Sequence, residues 1–182
     1  MERTRKALAK SGRPAWYVPN RQGAVKAVER LLAPGDGISC GGSVTLAESG
    51  VRDLMKSGAY EFLDREELPP EEVYRRTFSA DVFLTSANAI TEEGELYNVD
   101  GNGNRVAALI FGPKRVIVVA GVNKIVPNLQ AAISRVKCLA APANGVRLET
   151  HTPCSRLGRC SGWEGGMTAG CACGRRMGGQ DG

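Results

Sequence analysis

The sequence predicts an α/β fold: a mostly parallel, Rossmann-like sheet with helices on both faces. Three observations predict it. Short β-branched runs alternate with amphipathic stretches at the spacing of βαβ units. One such run, KRVIVVAG (114–121), is bounded by Pro113 and Gly121, as a strand covered on both faces would be. Clusters of Gly, Ser and Asn follow the predicted strands, where open α/β sheets bind their ligands.

The elements follow in order. NRQGAVKAVERLLAPGDG opens on Asn20, a helix N-cap, places Val25, Val28, Leu31 and Leu32 on one face, and closes at Pro34-Gly35. A short strand ends at Cys40. GGS (41–43) leads into TLAESGVRDLMKSG, helical in pattern, and YEFLD (60–64) is a strand. PPEEVYRRTFS carries Pro first, acids in its first turn and bases near its end, the order a helix dipole favours. ADVFLTS (80–86) is a buried strand, and ITEEGELYNV alternates around Glu93-Gly94 as a hairpin. RVAALIF is helical or strand-like, with Asn102 or Asn104 available as a cap. PNLQAAISRVKCLA is a helix with Leu129, Ile133 and Val136 inward. No repeat and no interdomain linker is visible.

Three polar clusters stand at strand ends. GGSVTLAES lets backbone approach a ligand closely and offers free N–H groups at a helix start, although Gly pairs after strands also serve as plain tight turns. The stretch from Ser86 to Gly112 crowds Asn88, Glu93, Asn98, Asp100, Asn104 and Arg105 between two apolar runs. Local turn capping explains any one of these residues but not their density. GVNKIV puts Asn123 and Lys124 after the β-branched run. Together these predict one polar pocket for a small anionic ligand. Substituting Asp100 or Asn104 by Ala is expected to weaken binding while costing no more than about 1–2 kcal/mol of stability.

Composition bounds the partners. Of 182 residues, 42% are hydrophobic and 24% charged, enough for a globular core. A net charge of +5 is spread along the chain without a basic stripe or an aromatic-basic interleave, which argues against nucleic acid. MERTRKALAKSGRPAWYVP lacks the apolar core of a secretory signal, and no apolar run is long enough to span a membrane. A cytoplasmic chain is expected, with its six cysteines free or acting as ligands, and Cys40 and Cys138 as small core residues.

The three clusters in this order resemble the LUD family of lactate-utilisation proteins. GGSVTLAESG (41–50), TSANAITEEGELYNVDGNGNRVAALIFGPKRVIVVAGVNKIV (85–126), AAPANGVRL (140–148) and HTPCSRLGRC (151–160) carry the resemblance. It implies a single LUD-like domain over residues 1–160, with a fold similar to sugar-phosphate isomerases, coenzyme A transferases and formyltetrahydrofolate cyclo-ligases. It also implies a part in oxidising L-lactate to pyruvate, alongside iron-sulfur and glycolate-oxidase-like subunits. Carried over by motif, Gly41, Gly42, Ser43, Thr45 and Glu48 form one wall of the site. Asn88, Thr91, Glu93, Gly94, Asn98, Asp100, Gly101, Asn104 and Arg105 form another, with Asn123 and Lys124 at the mouth. Related folds use a carboxylate as nucleophile or acid/base, which makes Glu93 the first catalytic candidate and Asp100 the second. The single His, His151, disfavours a Ser-His-Asp or Cys-His arrangement. Two other roles stay open: a non-catalytic scaffold or regulatory subunit of an oxidation complex, and a coenzyme A transferase- or cyclo-ligase-like enzyme using Glu93. Self-association into a homo-oligomer is compatible with either.

The family pattern continues into a Cys-x-x-Cys-like segment spaced to hold a metal. Here Cys154 and Cys160 match, but Cys171 and Cys173 stand as Cys-x-Cys at other distances, so the four thiols are candidates for an iron-sulfur cluster or zinc whose spacing argues against a closed site. Residues 161–182 are Gly-rich and predicted to be a disordered tail. So abrupt a change in composition is what a shift of reading frame would produce.

Overall fold

The computed structural model describes residues 1–162. In chain order the elements are α1 (Glu2–Lys10), α2 (Arg21–Glu29), β1 (Gly37–Cys40), α3 (Val44–Glu48), α4 (Val51–Met55), β2 (Glu61–Phe62), α5 (Pro70–Thr77) and β3 (Val82–Thr85). There follow β4 (Ala89–Thr91), β5 (Leu96–Tyr97), α6 (Asn104–Phe111), β6 (Arg115–Val118), β7 (Ile125–Val126), α7 (Leu129–Arg135), α8 (Ala141–Arg147) and α9 (Pro153–Leu157). A 3-10 turn, Val122–Lys124, precedes β7, and a π-helical turn, Val136–Ala140, joins α7 to α8. The fold is α/β with a mostly parallel sheet. The described chain divides into two compact units, Trp16–Ala87 with Ala107–Gly121 (the sheet unit) and Met1–Ala15 with Asn88–Val106 and the described residues from Val122 onward (the hairpin unit).

In the sheet unit four strands run in the order β2-β1-β3-β6, all pairs parallel. Side chains alternate across a strand, so Ile38 and Leu84 face one way and Ser39 and Phe83 the other. On the first face Ile38, Val82 and Leu84 pack with Val28 and Leu32 near α2, Leu46 of α3, and Val51 and Met55 of α4. On the second face Ser39 Oγ lies 2.6 Å from Thr77 Oγ1 of α5. Thr77 Oγ1 donates its own proton to Val73 O at 2.7 Å, so Ser39 is the donor and both buried hydroxyls are satisfied. Helices therefore cover both faces.

Local chemistry explains most boundaries. Asn20 accepts from Gly23 N at 2.9 Å and starts α2 as its sequence predicts. The stretch expected as one helix after GGS is two, because Gly50 adopts φ +79 between α3 and α4. KRVIVVAG differs more: β6 is an edge strand among the described residues, with Val116 37% exposed. A β-branched run suits a covered or an edge strand equally, and strand order decides between them. The edge is guarded by charge, since Arg115 pairs with Asp36 at 2.7 Å and Lys114 with Asp81 at 3.0 Å.

The turn after β2 is held by a buried carboxylate. Asp64 is 3% exposed, with Lys56 Nζ 2.5 Å from Oδ2, and Oδ1 accepting from Glu66 N at 3.0 Å. Arg52 lies 3.5 Å from Asp64 and 2.7 Å from Glu66, and Lys56 also reaches Glu66 at 2.8 Å. Burial opposes ionisation of Asp64, but the Lys56 and Glu66 N–H hydrogen bonds and the charges of Lys56 and Arg52 outweigh it and hold its carboxyl below the usual range.

The hairpin unit has a three-stranded sheet, β5-β4-β7, with β4 antiparallel to β5 and parallel to β7. The hairpin turn needs glycine: Gly94 has φ +85, and a Cβ there would lie 2.9 Å from Leu8 N and 3.0 Å from Ala7 C of α1. Asn128 caps α7 by accepting from Ala131 N at 3.0 Å. Ala132 and Val136 are the inward residues of this helix and the turn after it, whereas Leu129, expected inward, is 45% exposed because it occupies the first turn beside the cap. Cys138, expected in the core, is exposed on the π-helical turn.

Because Asp64 has a lowered pKa in the fold, its contribution is fully present above its unfolded value, about 4, and is lost as pH falls through the folded value. Asp64→Asn should thus lower unfolding free energy at pH 7 by about 1–3 kcal/mol, and the gap from wild type should narrow below about pH 4. Urea titrations across that range measure this. A gap independent of pH would assign the effect to packing.

Candidate functional site

Strand order locates the first cluster. From β1 the chain moves to β2 on one side and then to β3 on the other, so the loops after β1 and β3 diverge at the position where open α/β sheets bind ligands. Gly41, Gly42 and Ser43 follow β1 there, and Ser86 and Ala87 follow β3. Gly41 is buried and donates to Leu84 O of β3 at 3.1 Å, which ties the loop to the sheet. Ser43 caps α3, its Oγ accepting from Leu46 N at 3.3 Å. Thr45 is half-buried in α3, and Glu48 is exposed at its end.

Gly42 needs space rather than an unusual φ. A Cβ there would lie 3.1 Å from Arg65 Nη2, 3.7 Å from Nη1 and 3.8 Å from Cζ. The guanidinium of Arg65, at the carboxyl end of β2, thus rests against the glycine loop. Sequence reasoning passed over Arg65, and its one signal there is its place just past a predicted strand, in FLDREEL. Beneath the loop the Cys40 thiol is pushed up by burial, with the positive charges of Arg65 and Arg52 opposing.

The second and third clusters lie in the hairpin unit and meet through two arginines. Asn88 and Asn98 lie just beyond the β4–β5 pairing, and their side chains tie the two chain segments together. Asn98 Oδ1 accepts from Asn88 N at 3.2 Å, and Asn88 Oδ1 accepts from Val99 N at 2.9 Å. Arg105 reaches both amide oxygens at 2.8 Å and Val99 O at 3.1 Å. Asp100 Oδ1 takes Arg105 Nη2 at 2.6 Å and Nε at 2.8 Å, while Oδ2 accepts from Val106 N at 2.7 Å. Asp100, not Asn102 or Asn104, therefore supplies the acceptor for that N–H in the first turn of α6, which opens with Asn104. Gly101 is exposed and Gly103 has φ +77 in the loop between. Arg135 of α7 donates to Asn88 O at 2.6 Å and Asn123 O at 3.2 Å, joining the loop before β4 to the turn that holds Asn123 and Lys124. Burial alone lowers the Arg135 pKa. Sequence reasoning missed this side chain too, since helical spacing says only which face it occupies.

The remaining candidates serve the hairpin. Thr91 is fully buried and exchanges bonds with Glu95, its Oγ1 accepting from Glu95 N and donating to Glu95 Oε2, both at 3.0 Å. Glu93 is a solvated carboxylate at the turn, 61% exposed and paired with Arg3, which also reaches Glu92 at 3.3 Å. Asp100 is the opposite case, 8% exposed with both oxygens engaged.

No three His, Cys, Asp or Glu side chains gather as a metal-binding group among the described residues. The Cys154 thiol is buried with Sγ 3.3 Å from Thr152 Oγ1, and Cys160 N donates to Lys137 O at 2.8 Å. Cys171 and Cys173, like most of the Gly-rich tail, lie outside the described residues. The described thiols do not by themselves form a zinc or iron-sulfur site. No helix among the described residues is long and apolar enough to cross a membrane.

A parallel sheet wound to both sides of β1, with a glycine loop at the reversal, defines an α/β protein of the Rossmann-like class. The family model of the LUD domain matches residues 1–169, and the chain belongs to that family, which is related to lactate utilisation. No curated protein and no solved structure matches the chain.

Asp100→Ala would leave the Arg105 guanidinium buried at 14% side-chain exposure without its counter-charge. Breaking a buried pair this way costs about 3–5 kcal/mol, more than the loop alone would suggest. Chemical denaturation of the variant measures the loss. A cost below about 1 kcal/mol would show the pair to be solvated.

Proposed function

We propose that this chain is a component of the oxidation of L-lactate to pyruvate and binds a small anionic ligand beyond the carboxyl ends of the parallel strands in the sheet unit. One observation carries the proposal: the order β2-β1-β3-β6 puts Gly41-Gly42-Ser43 at the reversal of strand order, the position at which open α/β sheets bind ligands. Family membership supplies the metabolic setting.

Converting lactate to pyruvate removes two electrons and two protons, one from C2 and one from the hydroxyl. Side chains here take up protons but not the electron pair, so the acceptor is a redox cofactor or a partner subunit of the iron-sulfur or glycolate-oxidase-like kind. The part assigned to this chain is to bind and orient the anion. The proposal rests no chemistry on Glu93, which is a solvated ion-paired turn residue, or on Asp100, whose two oxygens hold Arg105 and the start of α6.

The test is a thermal-shift series of the full chain with L-lactate, pyruvate, inorganic phosphate and coenzyme A, alongside Gly42→Ala. A ligand at 100 times its Kd adds about 2.7 kcal/mol, or about 5–10 °C in Tm for a chain of this size. Such a rise with lactate or pyruvate is expected, and it should shrink in Gly42→Ala, whose methyl has the mobile end of Arg65 as its nearest neighbour and leaves the unliganded Tm close to wild type. The same rise in both proteins would move the site elsewhere, and a rise with coenzyme A alone would favour acyl-transfer chemistry. Reduction of an artificial acceptor by lactate with the chain alone, against the chain plus partner subunits, separates an oxidising enzyme from a binding subunit.

A further inference from the structure

The geometry points to Arg65 as the residue that binds the oxyanion of the ligand, its guanidinium lying against Gly42 in the loop that follows β1. This inference rests on the binding site proposed above and names the side chain and ligand chemistry that the site selects. Three observations carry it.

The first is charge. The cations nearest Arg65 are neutralised locally: Arg52 and Lys56 are matched by Asp64 and Glu66 at 2.5–3.5 Å. Arg65 is exposed and takes part in none of the ion pairs among the described residues, so its positive charge is not compensated by a paired carboxylate.

The second is placement. Three guanidinium atoms lie within 3.8 Å of the point where a Cβ on Gly42 would sit, so the absent side chain at Gly42 makes the room that Arg65 occupies. A planar fork there presents paired N–H donors to an anion beside the glycine loop, and such forks match the two oxygens of a carboxylate or two of a phosphate.

The third is rigidity. The backbone around Arg65 is fixed at both sides, because Glu66 N donates to Asp64 Oδ1 at 3.0 Å and Leu63 N donates to Ile38 O of β1 at 2.9 Å. The buried Asp64 network thereby anchors the backbone of the turn that carries the exposed arginine.

The ligand class is a small molecule with a planar or tetrahedral oxyanion that a guanidinium fork can meet with paired N–H groups. Isothermal titration of the full chain with L-lactate, pyruvate and inorganic phosphate tells the carboxylate source from the phosphate source. Arg65→Ala should weaken binding of the accepted anion at least about tenfold, Arg65→Lys should recover part of it, and both should keep the wild-type unliganded Tm because Arg65 holds no partner. Binding should also weaken with added salt in wild type and much less in Arg65→Ala. Wild-type affinity retained in Arg65→Ala, with binding still lost in Gly42→Ala, overturns the role of Arg65 and leaves the site standing. No binding of any of the three anions to wild type overturns both.

Discussion

Strand β1 is the constraint on which the sheet unit depends. It is paired in parallel on both sides, by β2 and β3, and its core residues Ile38 and Ser39 are wholly buried. A parallel strand cannot be reached by a tight turn, so each neighbour requires a crossover, and the crossovers supply the helices that seal both faces. Parallel pairing also brings the carboxyl ends of β1, β2 and β3 to one edge. The glycine loop, the Asp64 turn with Arg65, and Ser86 with Ala87 are gathered there by that geometry alone.

The hairpin unit meets a different demand. Between β5 and α6 the chain makes an irregular loop whose polar groups have few backbone partners, and buried groups of that kind are costly when left alone. Arg105 answers for most of them, spreading its donors over Asp100, Asn98, Asn88 and Val99 O. The density of Asn and Asp in the stretch that follows β3 is thus largely a self-satisfied network. Arg135 extends it to the turn before β7 through two carbonyls. Polar residues in such numbers look like a binding site because networks and sites draw on the same side chains. What separates them is whether the donors and acceptors are already used.

The two carboxylates singled out for chemistry illustrate the same distinction. Glu93 is free enough to react but sits in water beside Arg3, and Asp100 is dry but fully engaged. In the sheet unit the balance runs the other way. Asp64 and Glu66 absorb the charges of Arg52 and Lys56, and the guanidinium on the glycine loop is left over.

Much was legible without coordinates. The cap at Asn20, the acid-to-base order along α5, the buried run of β3 and the hairpin at Glu93-Gly94 are local signals, set by neighbours a few residues away, and the ordered motifs carry the family. Strand order was not legible. It made β6 an edge although its β-branched run reads as a covered strand, and it brought Arg65 onto Gly42 across a crossover that no periodicity encodes. Nor does the sequence say that Asp100 spends its oxygens on Arg105 and Val106 N. Local propensity and capping act over one or two turns of chain, so the sequence by itself determined the elements. Pairing, burial and charge balance act between segments far apart in the chain, so only the tertiary structure decided which polar residues spend their hydrogen bonds and charges on the fold and which do not.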